Sequence, residues 1–229
     1  MTIFLLIIFI YSFINILLWF KENNETKNEI ETIIKEEEII SEDNKIDFDK
    51  LKNKNKDTVA WLKVEGTNID YPVVQTKDNQ FYLKHSFNKK NNSAGWIFMD
   101  YRNDINNMNK NTIIYGHARL DKSMFGTLKN TQTKKWYKNK DNQIITLITP
   151  EKEYRYQTFS TYYIKTEDYY ITTDFTSEKD YKKFIKTLIN RSTHNFNVDV
   201  SVEDYILTLS TCHNNNQKTV LHAKLIIED

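Results

Sequence analysis

The chain has 229 residues, with 32 basic and 31 acidic side chains and a formal net charge of +1. That balance lacks the basic excess of a nucleic-acid-binding domain, and only 4 Gly and 2 Pro exclude collagen-like or Pro/Gly low-complexity architecture. Aromatics at 14% supply a substantial core, no repeat recurs at solenoid or propeller spacing, and one cysteine, Cys212, excludes an intramolecular disulfide.

Residues 3–20 (IFLLIIFIYSFINILLWF) carry no charge and stop at Lys21. As a helix this run rises about 27 Å, close to the roughly 30 Å hydrocarbon core of a bilayer. Trp19 and Phe20 fall where an interfacial aromatic belt would lie. The run lacks the basic n-region and the small-x-small site of a cleaved signal peptide. It therefore predicts an uncleaved transmembrane anchor over 1–20, with charge leaving the orientation open.

Residues 21–56 read as a charged helical stalk or N-terminal helices. Ile30, Ile33 and Ile34 have the spacing of a narrow apolar stripe, followed by Ile39 and Ile40. A solvated linker is the competing reading for 21–28.

From residue 57 the pattern is mainly β. Strands are predicted at Val59–Val64, Tyr71–Gln75, Trp96–Met99, Thr112–Tyr115, Gln143–Ile148, Tyr154–Ile164, Tyr205–Thr211 and Thr219–Ile227, from β-branched and aromatic runs between Asn, Asp, Gly and Lys turns. That count fits a closed barrel or a sandwich. A short helix is expected over Asp78–His85. A longer one follows the capping-box form of Ser177–Asp180, with Tyr181, Phe184, Ile185, Leu188 and Ile189 as core contacts.

Cys212 ends its strand beside the polar run His213–Gln217, where a scaffold can present a thiol to a ligand. Such a thiol is either inert packing or a nucleophile, and a nucleophile needs a base or cation nearby. Among five histidines, His117 also stands at a strand end, after Gly116. His213 would face away unless the strand kinks, His222 lies inside the last strand, and His85 and His194 sit at a helix end or in a loop. There is no Cys-x-x-Cys, His-Glu-x-x-His or clustered carboxylate loop for a metal, and no Gly-x-Ser-x-Gly elbow.

The segment Thr208-Leu209-Ser210-Thr211-Cys212 resembles the TLxTC signature of sortases, membrane-anchored cysteine transpeptidases of Gram-positive cell surfaces. Ile69–Gln75, Ile97–Arg102, and Ile114–His117 followed by Ser123–Gly126 resemble the class B branch, in matching order over roughly 57–229. The resemblance implies a closed eight-stranded β-barrel over 57–229, N-terminal helices, a crossover helix before the cysteine strand, and His117 as the partner of Cys212. It also implies substrate contacts at Asn79, Leu83, Tyr115, Tyr170, Ile171 and Ser210, with no cofactor and no metal.

One departure stands out. The family carries an arginine at the start of the last strand, where this chain has Lys218, with Arg119 as an alternative source of positive charge. Lysine is a flexible point charge, whereas arginine offers a planar fork of donors.

The implied reaction is cleavage of a C-terminal sorting motif of secreted proteins at threonine through a thioester, then transfer to a peptidoglycan amine. The implied setting is the outer face of a Gram-positive-type membrane. A surface cysteine peptidase and a catalytically inert anchored binding protein are the alternatives.

Overall fold

The apolar N-terminal run forms the first half of a single helix, α1 (Thr2–Lys35), in a computed structural model of the chain that describes residues 2–35, 45–165, 167–212 and 217–226. The large apolar side chains from Ile3 to Phe20 are 41–75% exposed, so no protein surface covers them. The helix is long and apolar enough to cross a bilayer.

Its second half lies on the rest of the molecule. Glu22 accepts from Ser93 and Asn23 accepts from Arg119. Thr26 accepts from Asn92 at 3.0 Å, and Glu29 from the Asn88 backbone N–H at 2.6 Å. Ile33 is buried and Ile30 packs beside it. The expected anchor and stalk are thus one continuous helix through residue 20. Ile39 and Ile40 lie outside the described residues, as does the side chain of Ile34. Helix α2 (Phe48–Lys54) follows, capped by Asp47, which accepts from Lys50 N–H at 3.0 Å, and it buries Phe48 and Leu51.

Eight strands close into a barrel: β1 (Thr58–Val64), β2 (Ile69–Val74), β3 (Phe98–Met99), β4 (Asn111–His117), β5 (Ile144–Ile148), β6 (Glu153–Ile164), β7 (Ile206–Cys212) and β8 (Lys218–Ile226). The order around the barrel is β1-β2-β3-β4-β7-β8-β6-β5. The β2–β3 and β4–β7 pairs are parallel, and the others are antiparallel. Closure gives every strand a neighbour on both sides, which protects the sheet from edge-to-edge pairing with another chain. Between β4 and β5 stands α3 (Lys134–Lys138), whose Trp136 donates to the Glu65 carbonyl at 2.8 Å. The interior is filled by residues such as Trp61, Trp96, Phe98, Ile114, Tyr156, Leu207 and Leu221.

Helix α4 (Glu178–Arg191) crosses from β6 to β7 and starts as its sequence predicts, with Ser177 accepting from Asp180 N–H. Tyr181, Phe184, Ile185 and Leu188 are buried against Phe159 and Tyr162 of β6. Ser160 ties the two elements by donating to the Leu188 carbonyl at 2.6 Å.

Three expectations need correction. The helix over Asp78–His85 is only a 3-10 turn at Phe81–Leu83, because the Asp78 carboxylate accepts from the N–H groups of Gln80 and Phe81 and closes a local turn. The strand at Trp96–Met99 reduces to Phe98–Met99: Trp96 is buried, with its indole N–H donating to the Pro72 carbonyl. Ile189 is 41% exposed, at the rim of the α4 stripe and not in the core.

Candidate active site

Three adjacent strands bring the sequence-nominated residues into one row. The parallel β4–β7 ladder runs in register from Asn111↔Ile206 to His117↔Cys212, so both strands end on the proposed pair. Neighbouring strands lie about 4.8 Å apart, which sets the backbone of residue 117 directly beside that of residue 212. On the other side, β7 and β8 pair through Ser210↔Val220. Continuing that antiparallel register by two residues puts Lys218 opposite Cys212. Where the ladder frays, Thr219 N–H donates to Thr211 Oγ1 at 2.9 Å and holds the two ends together.

The His117 ring is fixed from outside the barrel. Its Nε2 lies 2.8 Å from the Leu83 carbonyl. A carbonyl only accepts, so Nε2 carries the proton, and Nδ1, the unprotonated nitrogen of the neutral ring, has no hydrogen-bond partner among the described residues. Gly95 (φ +59°) backs the imidazole, and a Cβ there would come within 2.9 Å of His117 Cδ2 and 2.5 Å of the Tyr82 carbonyl. Gly116 admits the Phe125 ring, which a Cβ would meet at 2.8 Å. Burial holds the His117 pKa below that of an ordinary imidazole; the Leu83 carbonyl opposes the shift, and the Arg119 charge adds to it.

Lys218 is half-buried at the head of β8, with Nζ 5.8 Å from the centroid of the Tyr170 ring. Arg119, the alternative cation, is held by Asn23 of α1 and by Asp121 at 3.3 Å, and so is committed away from the row.

The expected substrate contacts divide into three groups. Leu83 supplies the carbonyl that holds His117. Asn79, Tyr115 and Ile171 meet at a node that sequence reasoning gave no role, the fully buried Asp100. Its carboxylate accepts from Asn79 Nδ2 (2.9 Å), Tyr115 Oη (2.9 Å) and both Nε (2.8 Å) and an Nη (2.7 Å) of Arg102. The same Arg102 Nη donates to the Ile171 carbonyl at 2.9 Å. Burial alone would raise the Asp100 pKa, but the Arg102 fork outweighs it and holds the carboxyl below the usual range. The remaining pair, Tyr170 and Ser210, is buried and joined hydroxyl to hydroxyl at 2.9 Å. Both lie beneath the row.

Of the other histidines, His85 stacks on Phe81 and His194 on Tyr137. His222 is wholly buried, its Nε2 2.9 Å from Tyr162 Oη and its Nδ1 2.9 Å from Thr208 Oγ1. His213 lies outside the described residues.

A family model described as the sortase domain matches residues 62–226. The chain belongs to the sortase family. Sortases are cysteine transpeptidases, and the relatives are of the B type. Sortase B of Staphylococcus aureus is 40% identical over 183 residues, covering 78% of this chain and 74% of that protein. Sortase B of Listeria monocytogenes is 37% identical over 182 residues, covering 78% and 71%. Among solved structures, the S. aureus sortase B–substrate complex superposes with a TM-score of 0.74 at 39% identity, over 80% of this chain and 85% of that one. A Clostridium perfringens sortase B matches with 0.74 at 38%, over 79% and 100%.

Within this sortase barrel, the signal for the Asp100–Arg102 node was present in the sequence as Asp100-Tyr101-Arg102. Nothing local gives it that role, because the partners come from the segment before β3, from β4 and from the turn after β6. Gly95 was equally silent, since only the folded chain brings it against the imidazole.

Proposed function

We propose that the chain is a membrane-anchored sortase in which Cys212 is the nucleophile, His117 the acid and base, and Lys218 the oxyanion cation. The observation that carries this reading is the strand register, which pairs residue 117 with 212 and, if continued two residues beyond Ser210↔Val220, brings 218 opposite 212. Cys212 thiolate attacks the carbonyl carbon of a threonine in a C-terminal sorting motif. The resulting oxyanion is met by Lys218 and backbone N–H groups. As the C–N bond breaks, imidazolium His117 gives its proton to the leaving amine, leaving a thioester. A peptidoglycan-precursor amine then attacks the thioester, His117 takes its proton, and the thiolate departs.

The low basicity of His117 has a consequence for this scheme. The imidazolium needs an anion beside it, and a Cys212 thiolate is the group that supplies one. Relatives support the substrate classes: sortase B structures have been solved with a substrate and with triglycine. Asn79, Leu83, Tyr115 and Ile171 are assigned to the groove that receives the motif, with Tyr170 and Ser210 shaping its floor. The chain divides into an anchor (1–20), a stalk (21–56) and a catalytic barrel (57–229), the barrel on the outer face of a Gram-positive-type membrane.

The test is to incubate the full chain, in detergent, with a library of sorting-motif peptides, with and without triglycine. Amine-dependent product that disappears in Cys212→Ala is the expected result. Equal product without the amine would replace transfer by hydrolysis, and no product from any peptide would remove the enzyme reading.

A further inference from the structure

The loop Ala118–Ser123, which leaves the active-site strand immediately after His117, carries one large apolar side chain into solvent: Leu120 is 87% exposed. The loop around it is not loose. Asp121 Oδ1 accepts from Ser123 N–H at 3.0 Å and from Ser123 Oγ at 2.6 Å, and its other oxygen faces Arg119. One exposed leucine is ordinary by itself; what gives Leu120 weight is its position beside the end of the apolar half of α1.

What lies opposite is fixed by α1. Asp121, Lys122 and Ser123 line one wall of a groove of about 510 Å³ whose other wall is Trp19, Phe20, Asn23 and Lys27 of that helix, with Asn68 and Tyr71 also in the lining. Phe20 ends the apolar run and Asn23, three residues on, is bonded to Arg119. At 1.5 Å per residue that is about 4.5 Å beyond the end of the run. The headgroup layer of one leaflet is roughly 5–7 Å thick. A helix that spans the bilayer through residue 20 therefore carries Arg119 and its loop into the headgroup layer. The charge fits, since Lys122 is exposed and has no ion-pair partner among the described residues, so it is available to lipid phosphate.

We propose that the Ala118–Ser123 loop rests on the phospholipid bilayer with Leu120 inserted, giving the barrel a second membrane contact beside α1. This rests on the reading of α1 as an anchor. It places the active-site histidine three residues from the inserted Leu120 and turns the row of 117, 212 and 218 toward substrates presented at the membrane surface.

The test uses the full chain with Cys212→Ala, reconstituted in phosphatidylcholine/phosphatidylglycerol nanodiscs, with a single environment-sensitive fluorophore on Ile10→Cys, Leu120→Cys or Glu151→Cys. Leu120 is so exposed that the label removes no packing. Glu151 lies in the turn between β5 and β6, at the other end of β1 from Asn68. Spin-labelled lipids should cost the labels at Ile10 and Leu120 their emission and leave the label at Glu151 unchanged. Quenching at Ile10 without quenching at Leu120 overturns the loop contact and leaves the anchor standing. No quenching at either position overturns the anchor and the loop contact together. A Leu120 label shielded from aqueous iodide but blind to spin-labelled lipid would assign the loop to a protein partner, again overturning the proposal.

Discussion

Two histidines of the same barrel, His117 and His222, meet opposite fates. His117 stands where β4 ends, half-buried, with Nε2 engaged and Nδ1 without a partner among the described residues. His222 lies five residues into β8, wholly buried, with both ring nitrogens at 2.9 Å from hydroxyls. Burial lowers the pKa of each, that of His222 to about 3. The difference is one of access. A histidine at a strand end keeps a nitrogen for chemistry, while one inside a strand commits both to the fold. Thr208, the Nδ1 partner, passes the connection on to Asn111 at 2.6 Å, and Asn111 donates to the carbonyls of Tyr170 and Thr172. The buried histidine is thus linked to the turn beneath Lys218.

The sharpest way to break the comparison is to truncate His117. His117→Ala should lower kcat/KM for acyl transfer by about 10²–10⁴-fold while leaving the urea midpoint nearly unchanged. A comparable loss of stability would show that both histidines are structural.

Next in size, Lys218→Ala should cost on the order of 10²–10³-fold in kcat, as for a lost oxyanion donor. Lys218→Arg should retain or raise activity, because the fork offers better directed donors. An unchanged rate in Lys218→Ala would remove Lys218 from the site.

His222→Val should act on stability, by about 1–3 kcal/mol per buried hydroxyl left without its partner, read from denaturant unfolding at pH 7.5. The sign of its pH dependence follows from the lowered pKa. The unfolded chain takes up a proton near pH 6.5 that the folded chain refuses, so stability is fully present above that value. It is lost as pH falls toward about 3, at up to about 1.4 kcal/mol per pH unit. The variant should show a shallower acid loss than the parent, and an identical slope would refute the assignment.

The smallest effect belongs to Arg119→Gln. Removing its charge raises the His117 pKa, so the alkaline limb of kcat/KM should move upward by less than about one pH unit. A downward move would contradict imidazolium as the required form.

Much of this barrel was legible because its strands announce themselves locally. Ile113 and Ile114, or Leu207 and Leu209, are apolar runs bounded by turn residues, and α4 declares its start through Ser177. What the sequence withholds is pairing. Nothing local to Thr112 or Leu207 says that their strands run parallel and adjacent, and that pairing is what brings residues 117 and 212 together. The resemblance to sortases stood in for it. The burial of Tyr170 and Ser210 is silent in the sequence for a related reason, since burial belongs to the assembled barrel and not to either residue. The segment Asp78–His85 forms a turn and not the expected helix because the Asp78 carboxylate closes its own loop, a side-chain contact that periodicity does not reveal.

The closed strand order has a consequence for synthesis. Strands β7 and β8 are the last to leave the ribosome, yet they sit between β4 and β6. Until both emerge, the nascent sheet exposes the sides of β4 and β6, the kind of open edge that aggregates or recruits a chaperone. The cysteine arrives only with the segment that closes this gap. A chain stalled or clipped before residue 206 therefore lacks Cys212, and the proposed nucleophile and the closed barrel come into being together.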